Sequence, residues 1–263
     1  MIESILKTIP LLSNFDSNNI KLTRLAGLTN KNYLVTITTS PKQKYILRIP
    51  RESTNAFVNR KDESHNANIA EELGIAPKSL WRKTPGNSLT EYLENSITPN
   101  LNDSKTLEKI TKTLATLHGS KTVFKGVLDN QKITKYLTQY FKLCSIEQQQ
   151  SLKLDYQKAL SLLELEPPLC KRPAVPSHID LVLDNILLRG ENIWFIDWEY
   201  SAMASPFWDI ATLCNSAKFD SAQSEAFIKR VLKDYQENDL ATLKQYLFIT
   251  NTISHCWQIA LAP

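Results

Sequence analysis

The stretch from Ser177 to Tyr200 constrains the chain more than any other. It reads Ser177-His178-Ile179-Asp180-Leu181-Val182-Leu183-Asp184-Asn185-Ile186-Leu187-Leu188, then a turn, then Ile193-Trp194-Phe195-Ile196-Asp197-Trp198-Glu199-Tyr200. Two apolar runs, Ile186–Leu188 and Ile193–Ile196, flank Arg189-Gly190-Glu191-Asn192, whose Gly and Asn suit a turn. That pattern predicts a tight hairpin. Asn185 enters one strand and Asp197 leaves the other, so their side chains are expected close together, with Asp180 in the loop just before. A carboxamide and a carboxylate at neighbouring strand ends, with a second carboxylate nearby, make an oxygen-rich site suited to Mg²⁺.

Taken singly, Asp and Asn beside strands are ordinary turn residues. Their order is what points further: His-x-Asp, an Asn five residues after that Asp, then an apolar strand ending in Asp. Kinase-type phosphoryl-transfer enzymes use this arrangement, with a loop Asp at the attacking hydroxyl and Asn plus a strand-end Asp on the metal. The stretch resembles the catalytic loop of aminoglycoside phosphotransferases and choline kinases, most of all the bacterial choline kinases. The resemblance implies an α+β, bilobal protein-kinase-like fold. Residues 1–93 would form a small strand-rich nucleotide-binding lobe, and 94–263 a larger helical lobe for catalysis and substrate binding. It also implies catalytic roles for Asp180, Asn185 and Asp197, with Asn185 and Asp197 on the metal. His178 would brace the loop, and Asp209 of Trp208-Asp209-Ile210-Ala211 would tie it in place.

Bulk properties narrow the alternatives. A chain of 263 residues, 42% hydrophobic and 22% charged, is an ordinary globular protein with room for two modest domains. Its net charge of +4, from 31 basic and 27 acidic residues, is too small and scattered to suggest nucleic acid. The first residues carry an early acid, and Lys7 and Pro10 break their short apolar runs, so neither a secretory signal nor a membrane span is expected. Cys144, Cys170, Cys214 and Cys256 form no CxxC pair. Buried thiols in a reducing, cytoplasmic setting are the expectation.

The first hundred residues read as strands: Ile20–Leu25, Asn32–Thr38 and Lys44–Ile49 all alternate. Between the first two, Gly27-Leu28-Thr29-Asn30 is a candidate phosphate-cradling turn, with Gly27 giving backbone access and Thr29 and Asn30 offering donors. A plain connecting turn would read the same way, but choline-kinase-like nucleotide loops are similar to it. Arg48 lies where protein kinases place a phosphate-holding Lys, and the resemblance implies an Arg there that grips phosphate bidentately. Glu63, in a helix expected to run on to Leu73, is the candidate partner, with Glu52, Asp62, Glu71 and Glu72 also available. Backbone groups near Leu89–Tyr92 are implied as the adenine contact.

The remainder is expected to be helical, with stripes over 104–118, 133–141 and around 159–163, then helices over 222–236 and 240–261. His118, closing the first of these, is read as structural. The resemblance implies ATP and Mg²⁺ as cofactors and a small cationic alcohol as acceptor: choline first, then thiamine, with ethanolamine and aminoglycosides behind them. Tyr200 and Trp257 match positions that would face a quaternary ammonium through aromatic rings, and Glu199 would add charge unless committed to the metal. A second Trp usual in the family is replaced here by Ser254. A nucleotide-binding module without catalysis would be marked by loss of Asp180, Asn185 or Asp197, and all three are present.

Overall fold

The structure, a computed structural model, describes residues 2–27, 30–51, 58–83, 86–164 and 171–261. A short helix α1 (Ile2–Leu6) is followed by β1 (Ile20–Arg24), β2 (Asn30–Ile37) and β3 (Gln43–Pro50). In β2 the alternation has a direct result: Tyr33, Val35 and Ile37 are buried while Leu34 and Thr36 between them are only half-buried. After α2 (Arg60–Glu72), strands β4 (Ser79–Lys83) and β5 (Asn87–Glu91) rejoin the sheet in the order β1-β2-β3-β5-β4. Leu47 of β3 stands between Tyr33 and Leu89 in register. With Leu6, Ile9 and Leu12 from the N-terminal segment they close a small core of their own.

Asn59 caps α2 by accepting from the backbone N–H groups of Lys61 and Asp62. Leu73 and Gly74 end the helix, Gly74 at φ +72°, where glycine carries no Cβ penalty. Although α2 lies early in the chain, Ala67 and Ala70 pack into the larger, helical core. That core is built from α3 (Ser104–His118), β6 (Val127–Leu128), α4 (Asn130–Leu143), α5 (Ile146–Leu163), β7 (Val175–Ser177), β8 (Ile186–Arg189), β9 (Asn192–Phe195), β10 (Ala202–Ala204), α6 (Pro206–Ser216), α7 (Ser221–Val231) and α8 (Glu237–Leu261). Strands β6, β10 and β7 make a three-stranded sheet, too short and irregular to be expected from pattern, that carries the chain into and out of the loop at 177–201.

One boundary differs from expectation. The helix expected over 222–236 stops at Val231, and α8 begins only at Glu237. The cause is tertiary: Arg172 forks onto Asp239 at 3.1 and 2.7 Å and onto Asp234 at 2.7 and 2.8 Å, pinning the intervening turn. Pro167 and Pro168, expected to lead into the loop, lie outside the described residues. Cys144, Cys214 and Cys256 are buried free thiols.

Candidate active site

Strands β8 and β9 pair in register, Ile186 opposite Phe195 and Arg189 opposite Asn192, forming the hairpin that the sequence predicts. The Ile196 N–H donates to the Asn185 carbonyl at 3.0 Å, so the entry and exit of the hairpin are adjacent. Asn185 reaches back into the loop. Its Nδ2 donates to the Asp180 carbonyl at 2.8 Å and to Asp180 Oδ2 at 3.0 Å. With the amide nitrogen spent on Asp180, the carboxamide oxygen is the end left for another partner.

The loop that presents Asp180 is strained and held. Ile179 sits at φ +74°, costly for a β-branched side chain by roughly 1–3 kcal/mol. Asp209, fully buried on α6, offsets this by accepting from His178 N at 3.0 Å and Ile179 N at 2.7 Å. Trp208 Nε1 donates to the Ile179 carbonyl at 2.8 Å, so both sides of the strained residue are fixed. His118 closes α3 and donates from Nε2 to Asp209 Oδ2 at 2.9 Å, which gives its structural reading a specific partner. His178 spends Nε2 on the Ile196 carbonyl at 2.9 Å, and burial pushes its basicity down despite Asp209. Through that bond it braces the exit of the hairpin.

Asp197 also sits at positive φ, +63°. Arg48 of β3 meets it there, Nη1 to Oδ1 at 3.0 Å, and its other nitrogen, Nη2, pairs with Glu63 of α2. Of the acids open as partners for Arg48, Glu63 therefore fills the position; Glu71 pairs with Arg82 instead, and Glu52 lies outside the described residues. Burial, together with the nearby Glu199 charge, pushes the Asp180 carboxyl up to about 6, against the Asn185 hydrogen bond. Asp197 is likewise raised above its ordinary range by burial and Glu199, with Arg48 opposing.

Two residues expected at the ligand turn inward. Asn30 is the first residue of β2, nearly fully buried, and its Nδ2 donates to Glu199 Oε2 at 3.0 Å. Arg60 Nη1 reaches the same Glu199 oxygen at 3.1 Å. One Glu199 oxygen, Oε2, is thus taken by two protein donors, while the residue still lines the cavity beside Tyr200. At Gly27 the chain's own backbone comes close: a Cβ there would fall 2.7 Å from the Asn30 carbonyl oxygen. Thr29 lies outside the described residues.

Arg60 was not legible as a site residue, although one signal exists. A cation at the first position of a helix opposes the helix dipole, and such a misfit calls for a tertiary carboxylate. Tyr136 and Tyr140 of α4 were missed as well. The phenols of Tyr140 and Tyr200 are hydrogen-bonded, and burial pushes both far up. Tyr200 faces a cavity of about 490 Å³ that Asp62, Glu63, Lys132, Tyr136 and Glu199 also line. Trp257, half-buried on α8, packs against the helical core and is absent from that lining.

Charge decides which ion this site suits. Glu63, Asp197 and Glu199 pair with the two guanidiniums of Arg48 and Arg60, and the Asp180 carboxyl, held by Asn185 and not by an arginine, adds to the acid around Asp197. Among the described residues no three His, Cys, Asp or Glu side chains form a ready-made metal cage. Two protein oxygens completed by substrate phosphates fit Mg²⁺, which is bound in that way.

The model of the choline/ethanolamine kinase family matches residues 23–258. The chain belongs to this family. Protein LicA of Haemophilus influenzae is 31% identical over 221 residues, 81% of this chain and 62% of that protein, so the chain spans less than two thirds of its length. The choline kinase LicA from Streptococcus pneumoniae superposes with a TM-score of 0.79 at 27% identity, covering 98% of this chain and 90% of that one. LicA solved in complex with AMP gives 0.73 at 25% identity, covering 98% and 89%. The fold is the α+β, bilobal protein-kinase-like fold, shared with a macrolide 2'-phosphotransferase at 16% identity and a TM-score of 0.64. Among the described residues no helix is long and apolar enough to cross a membrane.

Proposed function

We propose that this member of the choline/ethanolamine kinase family transfers the γ-phosphoryl group of ATP to the hydroxyl of a small cationic alcohol, choline being the first acceptor. The observation that carries the reading is the convergence of loop, hairpin exit, β3 and α2 at one point. Asp180 is bound to Asn185, and Asp197 to the Arg48–Glu63 pair. In this reading residues 1–93 form the nucleotide-binding lobe and 94–263 the lobe of catalysis and acceptor binding.

Asp180 receives the acceptor hydroxyl and takes or orients its proton; a carboxyl pushed up to about 6 is a stronger base than an ordinary Asp. Asn185 and Asp197 would hold Mg²⁺, which would supply neutralisation of phosphate charge. Arg48, fixed by Glu63, presents its fork to phosphate oxygens, and Gly27 with Thr29 lets the backbone approach them. Tyr200 and Trp257 supply aromatic faces for the quaternary nitrogen. The relatives support this chemistry: one similar chain is a choline kinase, and another is solved with AMP. The cavity beside Tyr200, about 490 Å³, has room for a larger cation than choline, which makes thiamine the second acceptor to consider.

ADP release from Mg-ATP, followed across choline, ethanolamine, thiamine and kanamycin, tests the reading. Choline is expected to give the highest kcat/KM. Thiamine ahead of choline would keep the mechanism and change the acceptor; kanamycin ahead of both would overturn the cationic-alcohol reading, and release indifferent to every acceptor would overturn phosphoryl transfer itself.

A further inference from the structure

Arg60 opens α2, directly after the Asn59 cap. Its Nη1 donates to Glu63 Oε2 at 2.9 Å and to Glu199 Oε2 at 3.1 Å. Glu63 in turn grips Arg48, and the Glu199 oxygen also receives Asn30 Nδ2 at 3.0 Å. One guanidinium therefore joins the α2 carboxylate behind Arg48 to the carboxylate two residues beyond Asp197. The bridge is dry: the side chains of Arg60, Glu63 and Glu199 are 6%, 4% and 2% exposed.

The backbone makes room for it. Gly86, between β4 and β5, lies over the Arg60 stem at φ +97°. A Cβ there would fall 2.8 Å from Arg60 Cδ and 3.0 Å from Pro50 Cγ. The bridge thus has contacts from β2, the β3 end, the β4–β5 turn, α2 and the segment after β9. A buried ion pair adds little net stability over apolar side chains of equal volume, so what this one supplies is a defined geometry.

We propose that Arg60 is a positioning residue for phosphoryl transfer: it locks α2 to the Asp197-Trp198-Glu199 segment, so that the Arg48 fork and the Asp197 carboxylate are set as one unit. The inference rests on the phosphotransferase reading and adds to it a residue at the edge of the cavity beside Tyr200 whose hydrogen bonds run to carboxylates of the protein. Arg60 acts through Glu199 and Glu63. Both bonds leave one nitrogen, Nη1, so lysine keeps a charge able to donate twice but on a flexible stem without the planar group, and reproduces the bridge only in part.

The test uses the whole chain and the variants Arg60→Lys, Arg60→Met, Glu199→Gln and the pair Arg60→Met/Glu199→Gln. Thermal melts, Mg-ATP affinity by calorimetry, and kcat and KM with choline are measured for each. Arg60→Met is expected to lower kcat by about 100-fold and weaken Mg-ATP by about tenfold, the scale of a coupled network, while the KM for choline moves less than threefold. Arg60→Lys should recover part of kcat. In the Glu199→Gln background, Arg60→Met should cost less than a third of what it costs alone, because its target is already gone. A folded Arg60→Met variant with the parent's kcat and Mg-ATP affinity would overturn the proposal, as would fully additive losses. If Arg60→Met does not fold, Arg60→Lys with and without Glu199→Gln decides by the same criterion of additivity. A parent chain that binds no Mg-ATP would overturn the phosphotransferase reading itself, an outcome the variants cannot produce.

Discussion

At the proposed phosphate end of the cleft, the side chains are joined directly in two sets, Asn185 to Asp180 at 3.0 Å, and Arg48 to Asp197 at 3.0 Å and to Glu63. At the acceptor end, Tyr200 lines a cavity with Tyr136 of α4, while Trp257 sits on α8, outside that lining. The contrast follows from what each end has to do. Phosphoryl transfer needs reacting atoms held within tenths of an ångström, so its groups brace each other and their backbone is strained into place at Ile179 and Asp197. A quaternary ammonium offers no hydrogen to donate, and an aromatic face attracts it over a broad range of positions. Such a site can be assembled from separate helices with looser geometry.

Variants at the two ends should therefore differ in both size and kind of effect. Asp180→Asn is expected to cut turnover by about two to four orders of magnitude while sparing Mg-ATP affinity. Near-parental ADP release would take Asp180 out of the mechanism. Asp197→Ala should abolish detectable Mg-dependent nucleotide binding in calorimetry; an unchanged affinity would move the metal elsewhere.

The acceptor end should respond more mildly. A desolvated cation–π contact contributes about 2 kcal/mol, so Trp257→Ala should raise the KM for choline about thirtyfold and leave that for ATP alone. A KM that does not move would make Trp257 a core residue and leave Tyr200 with Tyr136 as the aromatic faces. Arg48→Lys belongs to the phosphate end but keeps the charge. It should raise the KM for ATP roughly tenfold, the scale of one lost charge-assisted hydrogen bond; an unchanged KM would leave Arg48 a purely structural partner of Glu63.

The smallest effect is expected at neither end. Arg172 clamps Asp234 and Asp239 far from the cleft, and its fork outweighs burial to hold Asp239 below its ordinary value. Arg172→Met should lower the melting temperature by about 2–4 °C with kcat unchanged. In the parent, the contribution of Asp239 is present above about pH 4 and fades as acid titrates the depressed carboxyl. A variant that melts like the parent but loses turnover would show that the clamp reaches the catalytic loop.

By itself the sequence determined the elements whose information is local. The hairpin at 186–196 was legible because two apolar runs flank a Gly- and Asn-containing turn, and the nearness of Asn185 to Asp180 followed from one contiguous stretch. Strands β1 to β3 were legible from their alternation, and α3 from its stripe and closing Gly119. The Arg48–Glu63 pairing was legible only as one of several options, since several nearby acids were equally available to Arg48. Tertiary structure alone decided what depends on distant parts of the chain. Asn30 is separated from Glu199 by 169 positions and Arg60 by 139, and no periodicity links such residues. The end of α7 was set by Arg172, whose local sequence carries no helix signal for residues sixty positions away. The fold also gave Glu199 its partners Asn30 and Arg60: in a dry interior a carboxylate takes whatever donors the fold brings within reach, and only the packed chain determines which those are.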